Sequence, residues 1–305
     1  MNIDKKGLIE IIQSSDKEEL EFSSKTLTGL SNKSLTSLLQ KLAKKMGETE
    51  VYVEVGVFQG LSLLSVAKVV PDKVCYGVDN FSQFDPEGIN LSMVKSRAKE
   101  IGCKNYEVIN KDFELALKSL SNSINGKEVG LYFVDGPHDY RSQLLCLEMI
   151  KPFLSSNAII IIDDCNYLHV RQATADFCQL NPEFKVCFQT YSDGHPHNFK
   201  VDERDRWWNG VNLIIKDEEN RFEGVQVPTD PERRIFFSDH LFMSGKMPEQ
   251  IAEMNLMVSS LVKLDIIKFL RSTWKIWRKR NLQSNGRFGG RNTFSQNLKY
   301  DRITK

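Results

Sequence analysis

Three short stretches hold the side chains best suited to chemistry. The first is Glu54-Val55-Gly56-Val57-Phe58-Gln59-Gly60, followed by Leu61-Ser62. An apolar run opening into E-x-G-x-x-x-G and then a helix makes a tight turn whose backbone can approach a ligand closely. The start of such a helix also attracts a carboxylate or phosphate. The spacing is not G-x-G-x-x-G, which counts against a dinucleotide-binding dehydrogenase. The second stretch is Asp135-Gly136-Pro137-His138-Asp139-Tyr140 and the third is Asp163-Asp164. Asp135, Asp163 and Asp164 end two apolar runs, and converging carboxylates repel one another unless a cation neutralises them. Oxygen-only ligation fits Mg²⁺, with Mn²⁺ or Ca²⁺ as alternatives. The competing reading is that each Asp caps the next helix. His138 can take a proton near neutral pH and suits a general base, or else packs against Tyr140.

Two shorter runs also end in acids. Asp79 closes KVCYGVD, where an acid can accept the hydroxyls of a ribose. Asp112-Phe113 follows YEVIN and offers an acceptor beside an aromatic face, suited to adenine, or an ordinary helix cap. Farther along, His195, His197, Trp207 and Trp208 lie in the polar, aromatic stretch 191–210. A connection of that length tends to be functional, and its mixture suits an acceptor pocket for a polyol.

These residues need a scaffold that brings strand ends together. Apolar runs fall at 51–57, 73–79, 106–110, 129–135, 158–164, 184–190 and 211–216. Several are apolar on consecutive positions, which implies burial on both faces, as in a parallel sheet covered by helices. Helical patterns at 61–70, 88–102, 112–121 and 140–153 alternate with the first five runs. The expected fold is therefore α/β, a doubly wound and mostly parallel sheet that binds ligands beyond the carboxyl ends of its strands. Residues 1–48 read as an N-terminal helical cap, with Asp16 and Ser31 as helix starts. The main domain spans 49–245, C-terminal helices 246–280, and a basic, disordered tail 281–305.

The chain has 305 residues, with 41 Lys+Arg against 40 Asp+Glu. That near-neutral total hides an asymmetry: Leu261–Lys305 carries 12 basic and 2 acidic residues, which leaves an acidic body. In 265–280, the apolar positions 269, 270, 273, 274 and 277 share one helical face opposite basic residues. Such a helix suits an anionic membrane surface or an acidic partner, or packs on the body. One Gly-Arg cluster at 287–291 is not a repeat and argues little for nucleic acid. Six scattered cysteines without a CxxC pair fit a reduced, cytoplasmic protein. No stretch approaches the roughly 18 apolar residues of a membrane span, and the N-terminus lacks the apolar core of a secretory signal.

Taken together, the residues around 54–62, 79 and 112 resemble the cofactor half of a class I S-adenosylmethionine-dependent methyltransferase. The D-G-x-H-x-Y pattern at 135–140 and the double Asp at 163–164 further resemble the macrocin and aminocoumarin sugar O-methyltransferases. The likeness to the metal-dependent catechol O-methyltransferases is more distant. It covers roughly residues 50–180. The resemblance implies an S-adenosylmethionine cofactor, with Glu54, Gly56, Phe58, Gly60 and Ser62 at its methionine end, Asp79 at the ribose, and Asp112 with Phe113 at the adenine. It also implies Mg²⁺ on Asp135, Asp163 and Asp164, a sugar or other small-molecule acceptor, and either His138 or Asp135 as the base. Two positions depart from the pattern: Ser155-Ser156-Asn157-Ala158 replaces a Lys-Pro-Gly-Gly turn, and Pro137 replaces a polar residue. Two other functions remain open: a metal-independent methyltransferase acting on nucleic acid, and a non-catalytic module anchored to a membrane or partner.

Overall fold

Strand β1 (Glu50–Val55) is buried along its whole length, and its side chains alternate between two cores. Tyr52 faces one core, with Leu131, Phe133, Ile159 and Ile161 from neighbouring strands. Val51, Val53 and Val55 face the other, with Tyr132, Val134, Ile160 and Ile162. Burial on both faces is what a sheet between two helical layers requires. The computed structural model describes residues 1, 3–192, 207–233, 236 and parts of 257–274.

The remaining strands are β2 (Cys75–Val78), β3 (Tyr106–Ile109), β4 (Glu128–Val134), β5 (Leu154–Ile162), β6 (Phe184–Thr190) and β7 (Val211–Lys216). They form a seven-stranded sheet in the order β3-β2-β1-β4-β5-β7-β6. Strands β1 to β5 pair in parallel, and β7 runs antiparallel between β5 and β6. The doubly wound expectation holds, and the seven expected runs all become strands. The chain order reverses where β1 meets β4, and a crevice at such a switch point is where this architecture binds ligands.

Helices α1 (Lys5–Asp16), α2 (Lys33–Ala43), α3 (Leu61–Val69) and α4 (Asn90–Glu100) cover the first face. Helices α5 (Phe113–Lys118), α6 (Leu120–Ile124), α7 (Tyr140–Ile150) and α8 (Leu168–Leu180) cover the second. Asp4 and Asn32 cap α1 and α2, whereas Asp16 closes α1 rather than starting a helix. Leu8, Ile12, Leu35 and Leu38 join the core of the sheet, so the N-terminal helices belong to the same compact unit, Met1–Thr229. The described residues from Asp230 onward belong to a second unit. The expected tail at 281–305 lies outside the described residues, as do 246–256 and 275–280. Among the described residues no helix is long and apolar enough to cross a membrane. All six cysteines are free thiols.

Candidate active site

The glycine turn after β1 sits against the end of β4. Gly56 has φ +97, and a Cβ there would stand 2.0 Å from the Asp135 carbonyl oxygen. Only glycine permits both that backbone angle and that approach. Phe58 at φ +49 and Gly60 at φ +82 continue the left-handed path into α3. Gly60 supplies no side-chain cap, so the first amides of α3 have no side-chain acceptor from that position. Arg97 clamps the turn from α4, donating to the Gln59 carbonyl at 2.8 Å and to the Thr28 carbonyl at 2.7 Å.

Glu54 is fully buried beneath this turn, accepting from the Tyr52 hydroxyl at 2.6 Å and the Ser62 hydroxyl at 3.1 Å. Burial pushes its carboxyl up to about 8; the two donors pull it back, and Asp135 and Asp79 raise it further. Such a buried acid is nearly neutral at pH 7 and is poised to ionise when a cation arrives. Asp79 serves the loop directly. Its Oδ2 accepts from the amides of Val57 and Phe58, each at 2.8 Å, and its Oδ1 from the amide of Phe81 at 2.7 Å. A carboxylate offers about four acceptor positions, so Asp79 pins the turn and retains capacity for one more donor.

Asp112 caps α5, accepting from the Glu114 amide at 2.9 Å, and is exposed. Phe113 is buried in the core with Ile109 and Leu117. The structure therefore separates this pair: the acid faces solvent and the ring packs inward.

At the ends of β4 and β5 the acids do converge, though in a different set from the one the sequence suggests. Ligand atoms of Asp135, His138 and Asp164 all lie within 4.8 Å of one another, the one such cluster among the described residues. His138 Nε2 stands 2.9 Å from Asp164 Oδ2 and 3.8 Å from Asp135 Oδ1. That nitrogen is buried and has no partner in hydrogen-bonding geometry. Asp164 adopts φ +58, which swings its carboxylate toward His138. Asp163 stays out of the cluster: it is 4% exposed, and its Oδ1 accepts from the Asp164 amide at 2.9 Å. Burial, with Asp135 and Asp164 nearby, holds its carboxyl well above the usual range. For His138, burial opposes the charge, yet Asp164 and Asp135 prevail and keep the imidazole protonated well above its usual range. The Asp135 carboxyl is raised to about 6, chiefly by burial.

Several supporting residues carried no signal in the sequence, because their partners are distant in the chain. Tyr167 stacks on His138 with ring centroids 5.4 Å apart. Asn209, at φ +63, donates through its side-chain amide to Asp164 Oδ1. Buried Arg171 donates to the carbonyls of Cys165 and Asn166, each at 2.9 Å, and so braces the turn that follows Asp164. Tyr140, by contrast, points away and donates to Asp176 at 2.7 Å.

Trp207 requires a correction. It is 1% exposed, packs on Phe188 at 5.1 Å between centroids, and donates to Asp16 at 3.0 Å. Its ring is a core element and has no free face for an acceptor. Trp208 is half-buried, and its indole nitrogen is buried without a hydrogen-bond partner. His195 and His197 lie outside the described residues.

Residues 53–165 match the family model described as a methyltransferase domain. The chain carries a class I S-adenosylmethionine-dependent methyltransferase domain. No protein of curated function matches the sequence. Solved structures similar to this methyltransferase include an O-methyltransferase from Bacillus cereus in complex with S-adenosylhomocysteine. It is 14% identical over 71% of this chain and 93% of that one, with a TM-score of 0.46. The O-methyltransferase TomG from Streptomyces achromogenes is 16% identical, over 68% and 90%, with a TM-score of 0.46. A TDP-rhamnose 3'-O-methyltransferase of calicheamicin biosynthesis is 14% identical, over 70% and 96%, with a TM-score of 0.45. These likenesses are loose; the assignment of this methyltransferase stands on its strand order and the family match.

Proposed function

We infer that this methyltransferase carries the methyl group of S-adenosylmethionine to a hydroxyl of a sugar or another polyhydroxylated small molecule, with the help of a divalent cation. The observation that supports this reading is the convergence of Asp135, His138 and Asp164 at the ends of β4 and β5, with ligand atoms all within 4.8 Å of one another. Two carboxylates and an imidazole fit a divalent cation. The nitrogen donor widens the choice from Mg²⁺ toward Mn²⁺ or another first-row ion. When bound, such an ion would orient neighbouring hydroxyls of the acceptor and lower the pKa of one. The sugar class rests on the resemblance of the D-G-x-H-x-Y pattern.

The chain's own residues supply the rest. Glu54 takes the cofactor's amino group, the first amides of α3 its carboxylate, and the remaining acceptor capacity of Asp79 a ribose hydroxyl. His138 holds a proton between two carboxylates until a cation displaces it. Asp135 and His138 are the two candidate bases for the acceptor hydroxyl.

Excess chelator is expected to cut activity on a polyol acceptor by at least about 100-fold. Cofactor affinity by calorimetry should persist, and Mn²⁺ should restore turnover at a lower concentration than Mg²⁺. Undiminished activity in chelator, or turnover on RNA alone, would overturn the reading. Cofactor binding has its own pH signature. With Glu54 near 8 in the free protein, pairing with the cofactor ammonium releases a proton. Affinity should therefore rise between pH 6 and 8 and level off above. Glu54→Gln should both weaken binding and flatten that slope in titration calorimetry; an unchanged slope would remove Glu54 from the cofactor site.

A further inference from the structure

The second unit presents an unusual surface. Val258, Leu261, Val262, Ile266, Ile267, Leu270 and Trp274 are between 52% and 78% exposed, a concentration of large apolar side chains found nowhere else among the described residues. The backbone there is helical at 257–259, 261–262, 266–267, 269–271 and 273–274. The Phe269 amide donates to the Asp265 carbonyl at 3.0 Å and the Lys263 amide to the Ser259 carbonyl at 3.1 Å. With about 100° of turn per residue, Ile266, Ile267, Phe269, Leu270, Thr273 and Trp274 share one half of the helix. Arg271 falls on the other half. From Ile266 to Arg280 the sequence holds six basic residues and no acid.

Contiguous apolar area of this kind marks an interaction site rather than an ordinary surface. Two properties select its occupant. The apolar face spans half the helix, broader than the i, i+3, i+4, i+7 stripe that fits a protein groove. The sequence from Ile266 to Arg280 is basic without an acid, which complements the negative surface of an anionic bilayer. A Trp on the apolar face suits the headgroup boundary, where an amphipathic ring is favoured. We propose that the helical stretch containing Ile266, Ile267, Leu270 and Trp274 docks this methyltransferase in the plane of an anionic lipid surface. Its apolar half enters the acyl boundary, and its basic half stays among the headgroups. This surface is independent of which acceptor or cation the catalytic domain uses.

The test is co-sedimentation of the full chain with vesicles of phosphatidylglycerol and phosphatidylcholine, compared with phosphatidylcholine alone. The expected result is binding at least about tenfold tighter to the anionic vesicles, falling as salt is raised. Lys268→Gln with Arg271→Gln should lower affinity for anionic vesicles roughly 25-fold, about fivefold for each basic residue. Ile267→Asp with Leu270→Asp should abolish binding to both kinds of vesicle. These apolar side chains are exposed, so circular dichroism and turnover of a soluble acceptor should be unchanged. Three outcomes would overturn the proposal. One is the absence of sedimentation with either vesicle. Another is a dimer in light scattering that Ile267→Asp disperses, which would assign the face to a second copy. The third is equally tight binding to polyglutamate that Leu270→Asp leaves intact, which would assign it to charge alone.

Discussion

Replacing Asp164 by alanine is expected to lower kcat/KM by about 10³-fold, the equivalent of roughly 4 kcal/mol of transition-state stabilisation. Cofactor affinity should stay within about twofold, because the residues proposed to hold the cofactor are Glu54, Asp79 and the first amides of α3. The argument is geometric. Asp164 Oδ2 is the nearest acid to His138 Nε2, at 2.9 Å, and its other oxygen is held by Asn209. Without it, Asp135 alone faces the imidazole, at 3.8 Å. A pH signature accompanies the loss. His138 binds its proton more tightly in the folded protein than in the unfolded chain. Its stabilising contribution is therefore complete below about pH 6.5, the unfolded value, and is lost as pH rises through the higher folded value. In metal-free protein, melting temperature should fall across that alkaline range, and Asp164→Ala should flatten the fall. A variant with normal kcat/KM, or an unaltered pH profile of Tm, would contradict the assignment. Asp163→Asn should have a smaller effect on turnover, since that carboxyl lies outside the cluster.

Gly56→Ala is expected to be the most damaging single methyl group in the domain. The new Cβ would lie 2.0 Å from the Asp135 carbonyl oxygen and 2.5 Å from its carbonyl carbon, on a residue at φ +97. Both obstacles are backbone, so no side-chain rotation relieves them. Left-handed strain costs about 1–3 kcal/mol, and forced displacement of packed groups costs about as much again. The sum, about 2–6 kcal/mol, corresponds to a drop of roughly 10 °C in Tm for a unit of this size. Cofactor binding should vanish, because the same turn carries the amides anchored by Asp79. Gly60→Ala provides the comparison. Its Cβ would meet only side-chain atoms of Leu64 and Val94 at 3.2 Å, which can yield, so a milder loss is expected. Equal melting temperatures for Gly56→Ala and the parent would refute the close approach of β1 to β4.

Much of the scaffold is legible without coordinates. Runs such as Ala158–Ile162 are apolar on consecutive residues, and only a sheet covered on both faces buries both sides of such a strand. Glycines at 56 and 60 announce a turn that side chains would obstruct. Other positions mislead for equally physical reasons. Trp207 sits among acids and histidines in the sequence, yet its indole reaches back 191 residues to Asp16 and fills the core beside Phe188. Phe113 follows a plausible adenine acceptor, but its ring turns into the core beneath its own helix, beside Ile109 and Leu117. Local composition cannot distinguish these cases, because burial depends on which distant elements arrive.

The sequence by itself determined the alternation of strands and helices, the acids at the strand ends and the glycines of the turn after β1. Those properties follow from local periodicity and backbone permissiveness. Only the tertiary structure decided which acids work together. Asp163 and Asp164 are chemically identical neighbours, and a left-handed backbone at Asp164, held by Asn209 from the turn before β7, sends one carboxylate inward and the other to His138. Charge repulsion predicts that a cluster of acids needs a cation; a single backbone rotation chooses its members.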